Sequence, residues 1–398
     1  MYLNLFSLML MLYSVTIFAA PNQEQLKRAG LENVIVFSHV VTKDTPKGKG
    51  AEQLKQLVKE QNKSLSGFPN VQVYPDSVLF DDNKVMDALV RDELVKDKVQ
   101  LAAPSISKLI KEIKDDTGKG KNEVCNPKLQ VFDFPFLFSD VAEVGAFFEK
   151  AKDKIFFQKN GKLYLKSDNK KCYNGESYLV LGLWHGGMKQ LTSNKEINVS
   201  SDKPSLSGAK FRIQSSPVIE QVFKALGAEP KPEDNFAKVL KMLKTKEING
   251  QENTWSNIVT GKFYEEQKYF LETNHSYLGY LLITNQSFHD EHLKNPENEK
   301  KWQAIFEQVA RNVNQSTDNA DAKESLISIL QKDGKKDQPI NSLNAQDREK
   351  WCERIYEGQY SEWKKLVEEI GKEIVQMAIQ NKTGCPYDIL RSIVNNPS

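Results

Sequence analysis

The segment 208–214, GAKFRIQ, places a single arginine, Arg212, between apolar residues of a short extended run. Phe211 and Ile213 alternate with Arg212 as in a β-strand, and the Ser-Ser-Pro that follows predicts a capped helix with proline in its first turn. A guanidinium matches a carboxylate with two parallel hydrogen bonds and stays charged at any working pH. Arg212 is therefore a candidate anion-binding residue at the end of a strand. A salt bridge to an acidic residue of the same chain is the alternative.

The first part of the chain predicts the sheet that would face this arginine. Residues 33–37 (NVIVF) and 70–74 (NVQVY) have the β-branched composition of strands, and residues 51–58 between them have helical spacing. The order strand, helix, strand predicts parallel pairing with a right-handed crossover. Because ligands bind beyond the carboxyl ends of such strands, residues 39–47 and 104–105 are expected to line a ligand site.

Composition excludes several classes of protein. The chain has 398 residues, 55 basic and 53 acidic side chains, and a net charge of +2. Its lysines are interleaved with acids, so the basic face of a nucleic-acid-binding protein is not expected. Residues 1–20 carry no charge and end in small residues, which predicts a cleaved signal peptide, with an uncleaved anchor as the alternative. The remaining chain is too long for one ordinary core, so two lobes are expected.

Motifs that would indicate an enzyme are missing from the sequence. There is neither a Gly-x-Ser-x-Gly elbow nor a His-Glu-x-x-His pair, and residues 118–121 (GKGK) lack the spacing of a phosphate-binding loop. Residues 289–292 (HDEH) lie in a polar stretch and are expected to face solvent rather than bind a metal. We therefore expect a protein that is not an enzyme and has no metal or other cofactor.

Seven motifs, in order and spread over nearly the whole mature chain, resemble the extracytoplasmic solute-binding proteins of tripartite ATP-independent periplasmic (TRAP) transporters, the DctP family. They are residues 37–48 (FSHVV with TPKG), 82–85 (DNKV), 102–105 (AAPS), 132–138 (FDFPFLF), 208–230, 250–253 (GQEN) and 273–280 (TNHSYLGY).

This resemblance implies an α/β fold, a two-lobed periplasmic binding protein in which each lobe is a mixed sheet flanked by helices. Crossover strands form the hinge, and long helices brace the lobes. We expect lobe 1 to contain residues 31–186 and 279–323, and lobe 2 to contain residues 187–278 and 324–398. Apolar stripes predict one helix from Lys300 onward and a single final helix that carries the stripe from Trp351 to Met377.

The resemblance also implies a ligand site between the lobes. Arg212 would clamp a carboxylate, and Asn253 would donate a further hydrogen bond. For several of these residues a structural role is the alternative: a structural hydrogen bonder for His39, a solvated loop or hinge lysine for Lys47 and Lys189, and a helix-capping turn residue for Asn253. The complete expected ligand-binding set is Arg212, Asn253, Lys189, Lys47, Ser105 and His39.

The implied function is periplasmic capture of a small organic acid, with a four-carbon dicarboxylate favoured because two negative charges would use both the arginine and the lysines. The protein would act as a monomer and deliver its ligand to the small and large membrane subunits of a TRAP permease. Two alternatives stay open: a ligand-sensing subunit of a membrane receptor, and binding of a different carboxylate such as a sugar acid.

Three regions depart from the family pattern. Residues 106–126 and 156–177 are longer and richer in lysine, and we expect them to be surface insertions. Residues 232–236 (PEDNF) replace the usual Pro-Met-Ala-Phe turn and add two acids near the expected cleft wall.

The four cysteines predict two disulfides in an exported protein. Cys125 and Cys172 fall in the two insertions, whereas Cys352 and Cys385 flank the last predicted helix. Three pairings are possible, and pairing within each of these two regions is favoured.

Overall fold

The computed structural model describes residues 34–64, 68–82, 84–89, 99–110, 112–113, 123–166, 171–199, 204–315, 319–334 and 338–395. The predicted signal peptide, residues 1–20, lies outside these ranges. Among the described residues, no helix combines the length and the apolar character that a membrane crossing needs.

Thirteen strands are found in the described residues. They are β1 (Val34–Ser38), β2 (Asn70–Tyr74), β3 (Leu101–Ala102), β4 (Glu112–Ile113), β5 (Glu123–Val124), β6 (Phe157–Lys159), β7 (Lys162–Leu165), β8 (Tyr178–Ser193), β9 (Lys210–Ile213), β10 (Glu229–Pro232), β11 (Gly250–Asn253), β12 (Tyr269–Thr284) and β13 (Ile340–Ser342).

The described helices alternate with these strands. They are α1 (Pro46–Ser64), α2 (Val85–Ala88), α3 (Val141–Ile155), α4 (Pro217–Ala225), α5 (Phe236–Lys244), α6 (Trp255–Thr260), α7 (Gln286–Phe288), α8 (Pro296–Gln315), α9 (Asn319–Lys332), α10 (Ala345–Glu357), α11 (Tyr360–Ile370), α12 (Lys372–Ile379) and α13 (Tyr387–Asn395). Short 3₁₀ helices span Ile106–Leu109, Pro127–Asp133, Cys172–Gly175 and Phe263–Glu266, and a π-helical turn spans His289–Leu293.

One continuous sheet runs through both lobes, with the strand order β10-β9-β11-β8-β12-β3-β1-β2. We call the β1–β3 side lobe 1 and the β9–β11 side lobe 2. β1 pairs in parallel with both β2 and β3, and β9 pairs in parallel with β10 and β11. The predicted α/β class with two lobes and crossover strands is therefore confirmed.

The two long strands β8 and β12 pair antiparallel and pass from one lobe into the other. Their pairing shifts register near Leu278 and Gly279, at the crossing point. A Cβ atom on Gly279 would lie 2.3 Å from Cε1 of Tyr277, and one on Gly186 would lie 2.8 Å from Cγ of Leu278. Only glycine leaves room for the Tyr277 side chain of the same strand at Gly279 and for the Leu278 side chain of the neighbouring strand at Gly186.

Long helices cover the sheet in each lobe. In lobe 1, α1 and α8 pack over the sheet, and Trp302 of α8 stacks on Phe68 with ring centroids 5.1 Å apart. The predicted helix after Lys300 is confirmed. In lobe 2, α5, α6 and α9 enclose a smaller core around Trp255 and Leu326.

The end of the chain differs from the predicted single helix. Its apolar stripe is divided among α10, α11 and α12, and the second break falls at Gly371, whose φ of 99° a helix cannot contain. Trp363 packs edge-on against Phe134, and Tyr356 donates a 3.0 Å hydrogen bond to the Pro135 carbonyl. These contacts reach the segment before α3.

Strand β10 forms the outer edge of the sheet in lobe 2 and covers the strand that carries Arg212. The Glu229 amide donates to the Ala209 carbonyl at 2.9 Å, and the Glu233 amide donates to the Ile213 carbonyl at 3.1 Å. Pro230 and Pro232 alternate with the inward-facing positions, so their backbone faces away from β9.

Both favoured disulfides are present. Cys125 is bonded to Cys172, and Cys352 is bonded to Cys385. The first links the two Lys-rich regions, and the second links α10 to the turn that precedes α13.

We expect the double substitution of Cys352 and Cys385 by serine to lower the free energy of unfolding by roughly 2–5 kcal/mol, because the cross-link restricts the unfolded chain. Guanidinium unfolding of the oxidised wild type and the variant measures the difference. If the variant and wild type unfold at the same denaturant concentration, the bond contributes nothing to stability.

Candidate functional site

Arg212 lies on β9 and is buried, with 3% of its surface exposed. Its neighbours Phe211 and Ile213 point into the core of lobe 2, so the alternation predicted from the sequence is confirmed. Nε donates a 2.9 Å hydrogen bond to the Glu233 carbonyl, whereas Nη1 has no hydrogen-bond partner among the described residues. Burial lowers the pKa of the guanidinium, and Glu252 and Glu233 act in the opposite direction. Arg212 therefore keeps donor capacity at a buried position.

Lys189 lies on β8 and forms a buried ion pair with Glu252 of β11, with 2.9 Å between Nζ and Oε2. The β8–β11 register places them close together, since Glu252 pairs with Leu191. Glu252 Oε1 also accepts a 3.3 Å hydrogen bond from the Gln214 amide. The alternative of a solvated hinge lysine is therefore wrong, because Lys189 is buried and paired with Glu252. The sequence reasoning missed Glu252 although it lies inside the 250–253 motif.

Asn253 occupies the end of β11 beside this ion pair. Its Oδ1 accepts hydrogen bonds from the Thr254 amide at 3.0 Å and from Asn257 Nδ2 at 2.7 Å. The helix cap itself is Thr254, whose side chain accepts from the Asn257 amide. The local bonds occupy the oxygen of Asn253, so its NH₂ group is the part of the side chain that can donate to a carboxylate.

On the lobe 1 side, Lys47 lies in the first turn of α1 and is fully buried. Nζ donates a 3.1 Å hydrogen bond to the Ala103 carbonyl and lies 4.0 Å from the centre of the Tyr280 ring. Burial lowers its pKa, and Asp82 opposes that shift. The alternative of a solvated loop lysine is therefore wrong.

His39 and Ser105 lie near Lys47 at the ends of β1 and β3. Burial, followed by repulsion from Lys47, lowers the pKa of His39 to about 3, so the imidazole is neutral at pH 7. The Ser105 hydroxyl accepts a 3.1 Å hydrogen bond from Gln214 Nε2, which links lobe 1 to lobe 2. Ser105 is thus a contact between the lobes as well as a candidate ligand residue.

A second link between the lobes is the ion pair of Lys108 with Asp234. Lys108 belongs to the 3₁₀ turn Ile106–Leu109, and Asp234 belongs to the turn that departs from the family pattern. Asp234 also accepts from the Ser215 amide at 3.0 Å and the Ser215 hydroxyl at 2.9 Å, so its position is fixed from within lobe 2. Burial, and then repulsion by Arg212, lower the pKa of Lys108 to about 7.

The prediction that residues 106–126 and 156–177 are surface insertions is wrong for several of their residues. Residues 106–110 and Cys125 are buried, as are Leu165, Cys172 and Tyr173. Strand β6 is exposed, as expected. Residues 111 and 114–122, which include the GKGK run, lie outside the described residues.

Asp133 is a further buried acid, which the sequence reasoning did not single out although it lies inside the 132–138 motif. Its Oδ1 accepts from the Ser107 hydroxyl and its Oδ2 from the Ser216 hydroxyl, both at 2.7 Å. Burial raises its pKa, and Lys189 acts against that shift. Because Ser107 and Ser216 come from opposite lobes, Asp133 is a third connection across the cleft.

A cavity of about 310 Å³ lies between these connections. Lobe 1 contributes Ser107 and Lys108 to its lining, and lobe 2 contributes Ser216 and Asp234. None of the six predicted ligand-binding residues, Arg212 included, is among the lining residues. The His-Asp-Glu-His stretch is remote from this site, and no group of three or more metal-binding side chains occurs within the described ranges.

A family model described as bacterial extracellular solute-binding protein, family 7 (DctP), matches residues 37–369. The chain belongs to this family. It is thus a TRAP solute-binding protein and not an enzyme.

Individual relatives agree with this membership. The chain is 33% identical over 355 residues to the C4-dicarboxylate-binding periplasmic protein DctP of Vibrio cholerae, covering 87% of this chain and 90% of the relative. A TRAP solute-binding protein from Shewanella oneidensis with bound succinate is 30% identical, with a TM-score of 0.66, covering 87% of this chain and 97% of that one. A protein from Pseudomonas aeruginosa with bound L-malate is 32% identical, with a TM-score of 0.64 and coverage of 82% and 99%.

We expect Lys189→Met to lower the free energy of unfolding by roughly 3–5 kcal/mol, because it leaves the Glu252 carboxylate buried without its partner. The double variant Lys189→Met with Glu252→Gln should lose less than the single variant. Lys301→Met, which breaks an exposed pair on α8, should cost under about 1 kcal/mol. Denaturant unfolding compares the three. Equal losses for Lys189→Met and Lys301→Met would contradict the buried-pair interpretation.

We expect stability to fall as the pH drops from about 6.5 towards 4. Burial lowers the pKa of His39 and His275 to about 3 and that of His185 to about 4. The unfolded chain takes up protons at these sites below its own histidine pKa of about 6.5, whereas the folded protein does not. Below pH 6.5, each histidine therefore lowers the free energy of unfolding by roughly 1.4 kcal/mol for every unit by which the pH falls.

Unfolding of wild type and His39→Gln at pH 7.5, 6.5, 5.5 and 4.5 tests this expectation. Subtracting the two profiles removes the contribution of the carboxylates, which both proteins share. The variant should have a shallower slope below pH 6.5. Parallel profiles would show that His39 takes up its proton equally in both states.

Proposed function

We propose that this protein binds a four-carbon dicarboxylate in the cleft between its lobes and delivers it to a TRAP permease. The observation that carries the proposal is the buried Arg212, whose Nη1 has no hydrogen-bond partner among the described residues. A buried guanidinium with unused donors is costly unless an acceptor completes its hydrogen bonds. A carboxylate is the acceptor whose geometry fits the planar fork.

The surrounding cations support a ligand with a second negative charge. Lys108 lines the cavity from lobe 1, and Lys47 lies buried in lobe 1. Lys189 adds positive charge from β8, although Glu252 pairs with it. Arg212 holds one carboxylate, and Asn253 donates to it through its amide group. The distal group is served by Lys47, Ser105 and Lys189, with neutral His39 completing the lobe 1 wall.

The similarity to relatives supports the same ligand class. The Vibrio cholerae relative is named for C4-dicarboxylate binding, and the two solved structures above hold succinate and L-malate. A sugar acid is the alternative: a galactonate-bound protein from Advenella mimigardefordensis has a TM-score of 0.66, but at 21% identity it supports the fold alone.

Ligand capture works by closure of the lobes. A ligand that touches both lobes favours the closed arrangement by its higher affinity for that arrangement. The Gln214–Ser105 hydrogen bond and the Lys108–Asp234 ion pair already cross the cleft, so the closed state has contacts of its own.

The cellular setting completes the proposal. Residues 1–20 act as a cleaved signal peptide, and the mature protein works in the periplasm as a monomer without binding nucleic acid. Its partners are the small and large membrane subunits of the permease. The alternative is a ligand-sensing subunit of a membrane receptor, and a neighbouring gene pair for two multispanning proteins would favour transport.

We expect succinate or malate at a hundredfold excess over its dissociation constant to stabilise the mature protein by about 2.7 kcal/mol. Thermal shift assays against C4 dicarboxylates, sugar acids and neutral sugars measure this effect. Arg212→Ala should abolish the shift because the carboxylate loses its bidentate partner. Arg311→Ala, which removes an exposed arginine from α8, should retain it.

The pattern of shifts separates the alternatives. A shift with sugar acids alone would replace the dicarboxylate assignment. A dicarboxylate shift that survives Arg212→Ala would show that Arg212 is not the clamp.

A further inference from the structure

The 3₁₀ turn Ile106–Leu109, here called the cleft turn, carries two of the contacts that cross the cleft. Its Lys108 pairs with Asp234 of lobe 2 and lines the cavity. Its Ser107 donates to Asp133, which also binds Ser216 of lobe 2. The position of the cleft turn therefore sets where Lys108 contacts lobe 2 directly and where Ser107 holds Asp133, which in turn bonds to Ser216.

Two side chains hold the end of the cleft turn. The Tyr173 hydroxyl donates a 2.6 Å hydrogen bond to the Leu109 carbonyl, and Asn126 Nδ2 donates to the same oxygen at 3.2 Å. Asn126 Nδ2 also donates to the Tyr173 hydroxyl. These two residues directly follow Cys125 and Cys172, which are bonded to each other.

Tyr173 and the two bonded cysteines are buried, and the tyrosine packs against the start of β8. Cys125 and Cys172 are almost fully buried, and Tyr173 packs edge-on against Tyr178 at the start of β8, with ring centroids 5.5 Å apart. Asn126 and Tyr173 both have positive φ, at 48° and 52°. Asparagine adopts this conformation readily, whereas a bulky residue such as Tyr173 keeps it only where the surrounding contacts impose it. The disulfide supplies such a contact by joining the two chain segments.

We propose that Tyr173 and the Cys125–Cys172 disulfide are positioning elements for Lys108, so that the two cross-linked regions set the affinity of the cleft for an anionic ligand. The proposal rests on the proposed function. Tyr173 lines the same cavity as Lys108, whereas the two cysteines do not. The tyrosine fixes the carbonyl next to Lys108, and the disulfide fixes the tyrosine; a direct contact between Tyr173 and the ligand would act independently of Lys108. Without them the ammonium group samples positions farther from the anion, and charge attraction falls with that distance.

The first test is a double-mutant cycle, with succinate affinity measured by isothermal titration calorimetry. Tyr173→Phe keeps the ring and removes only the hydroxyl, and we expect it to weaken binding about tenfold. Lys108→Met should also weaken binding. In the Lys108→Met background Tyr173→Phe should have no further effect, because the group that it positions is gone. A purely structural tyrosine would weaken binding equally in both backgrounds.

Tyr356→Phe is the matched control. Tyr356 is another buried tyrosine whose hydroxyl donates to a backbone carbonyl, that of Pro135, and it is not among the residues that line the cavity. Tyr356→Phe should lower the melting temperature by about as much as Tyr173→Phe does. It should keep succinate affinity within about twofold of the wild type.

The two disulfides provide a second matched comparison. Cys125 and Cys172 are 47 residues apart, and Cys352 and Cys385 are 33 apart, so their chain-entropy contributions are similar. Serine at both positions of the first pair should weaken succinate binding about tenfold at a temperature where both variants are folded. Serine at both positions of the second pair should leave affinity within about twofold. If the first variant does not fold, the Tyr173→Phe cycle decides alone.

Each outcome bears on a different claim. Wild-type protein that binds neither dicarboxylates nor sugar acids would overturn both the proposed function and this inference. Wild-type binding with unchanged affinity in Tyr173→Phe would overturn only the inference. Equal loss of affinity from both disulfide variants would assign the effect to general destabilisation, which also overturns it.

Discussion

The antiparallel pairing of β8 with β12 is the interaction on which the rest of the molecule depends. Each strand has 16 residues, and each passes from one lobe into the other. The same backbone ladder therefore supports the hinge and places residues for both walls of the cleft. Lys189 stands on β8, and the ring beneath Lys47 belongs to Tyr280 of β12. Gly186 lies at the crossing point, where Leu278 of β12 occupies the space that a side chain would need, and so lets the two strands stay in contact.

Charge around the cleft is arranged in pairs. Lys189 faces Glu252, Lys108 faces Asp234, and Asp82 offsets the burial of Lys47. Arg212 is the exception. Among the described residues, its only hydrogen bond goes to the backbone carbonyl of Glu233. Paired charges tolerate burial with little dependence on the ligand, whereas an incompletely satisfied guanidinium favours states in which an anion is bound. The pairs thus fix the walls, whereas the proposed role of the arginine is to bind a carboxylate of the ligand.

Local patterns in the sequence predicted local structure well. The alternation around Arg212, the Ser216 cap and Pro217 at the start of α4 all follow from residue type and spacing. The ion pair between Lys189 and Glu252 was missed because it depends on the register of β8 with β11. No local sequence pattern encodes that register. Lys108 was missed for another reason: its region was judged by lysine content, although apolar residues on both sides of Lys108 already indicated burial. The break at Gly371 was missed because the apolar stripe continues across it.

The prolines of β10 have a consequence for how the protein behaves at high concentration. Glu229 and Glu233 turn their amides inward to β9, so the amides of the alternate positions would point outward. Those positions are Pro230 and Pro232, which have no amide hydrogen. An incoming extended chain finds no amide donors there, which disfavours extension of the sheet at this edge. The strand that shields Arg212 on one side thus disfavours edge-to-edge pairing on the other.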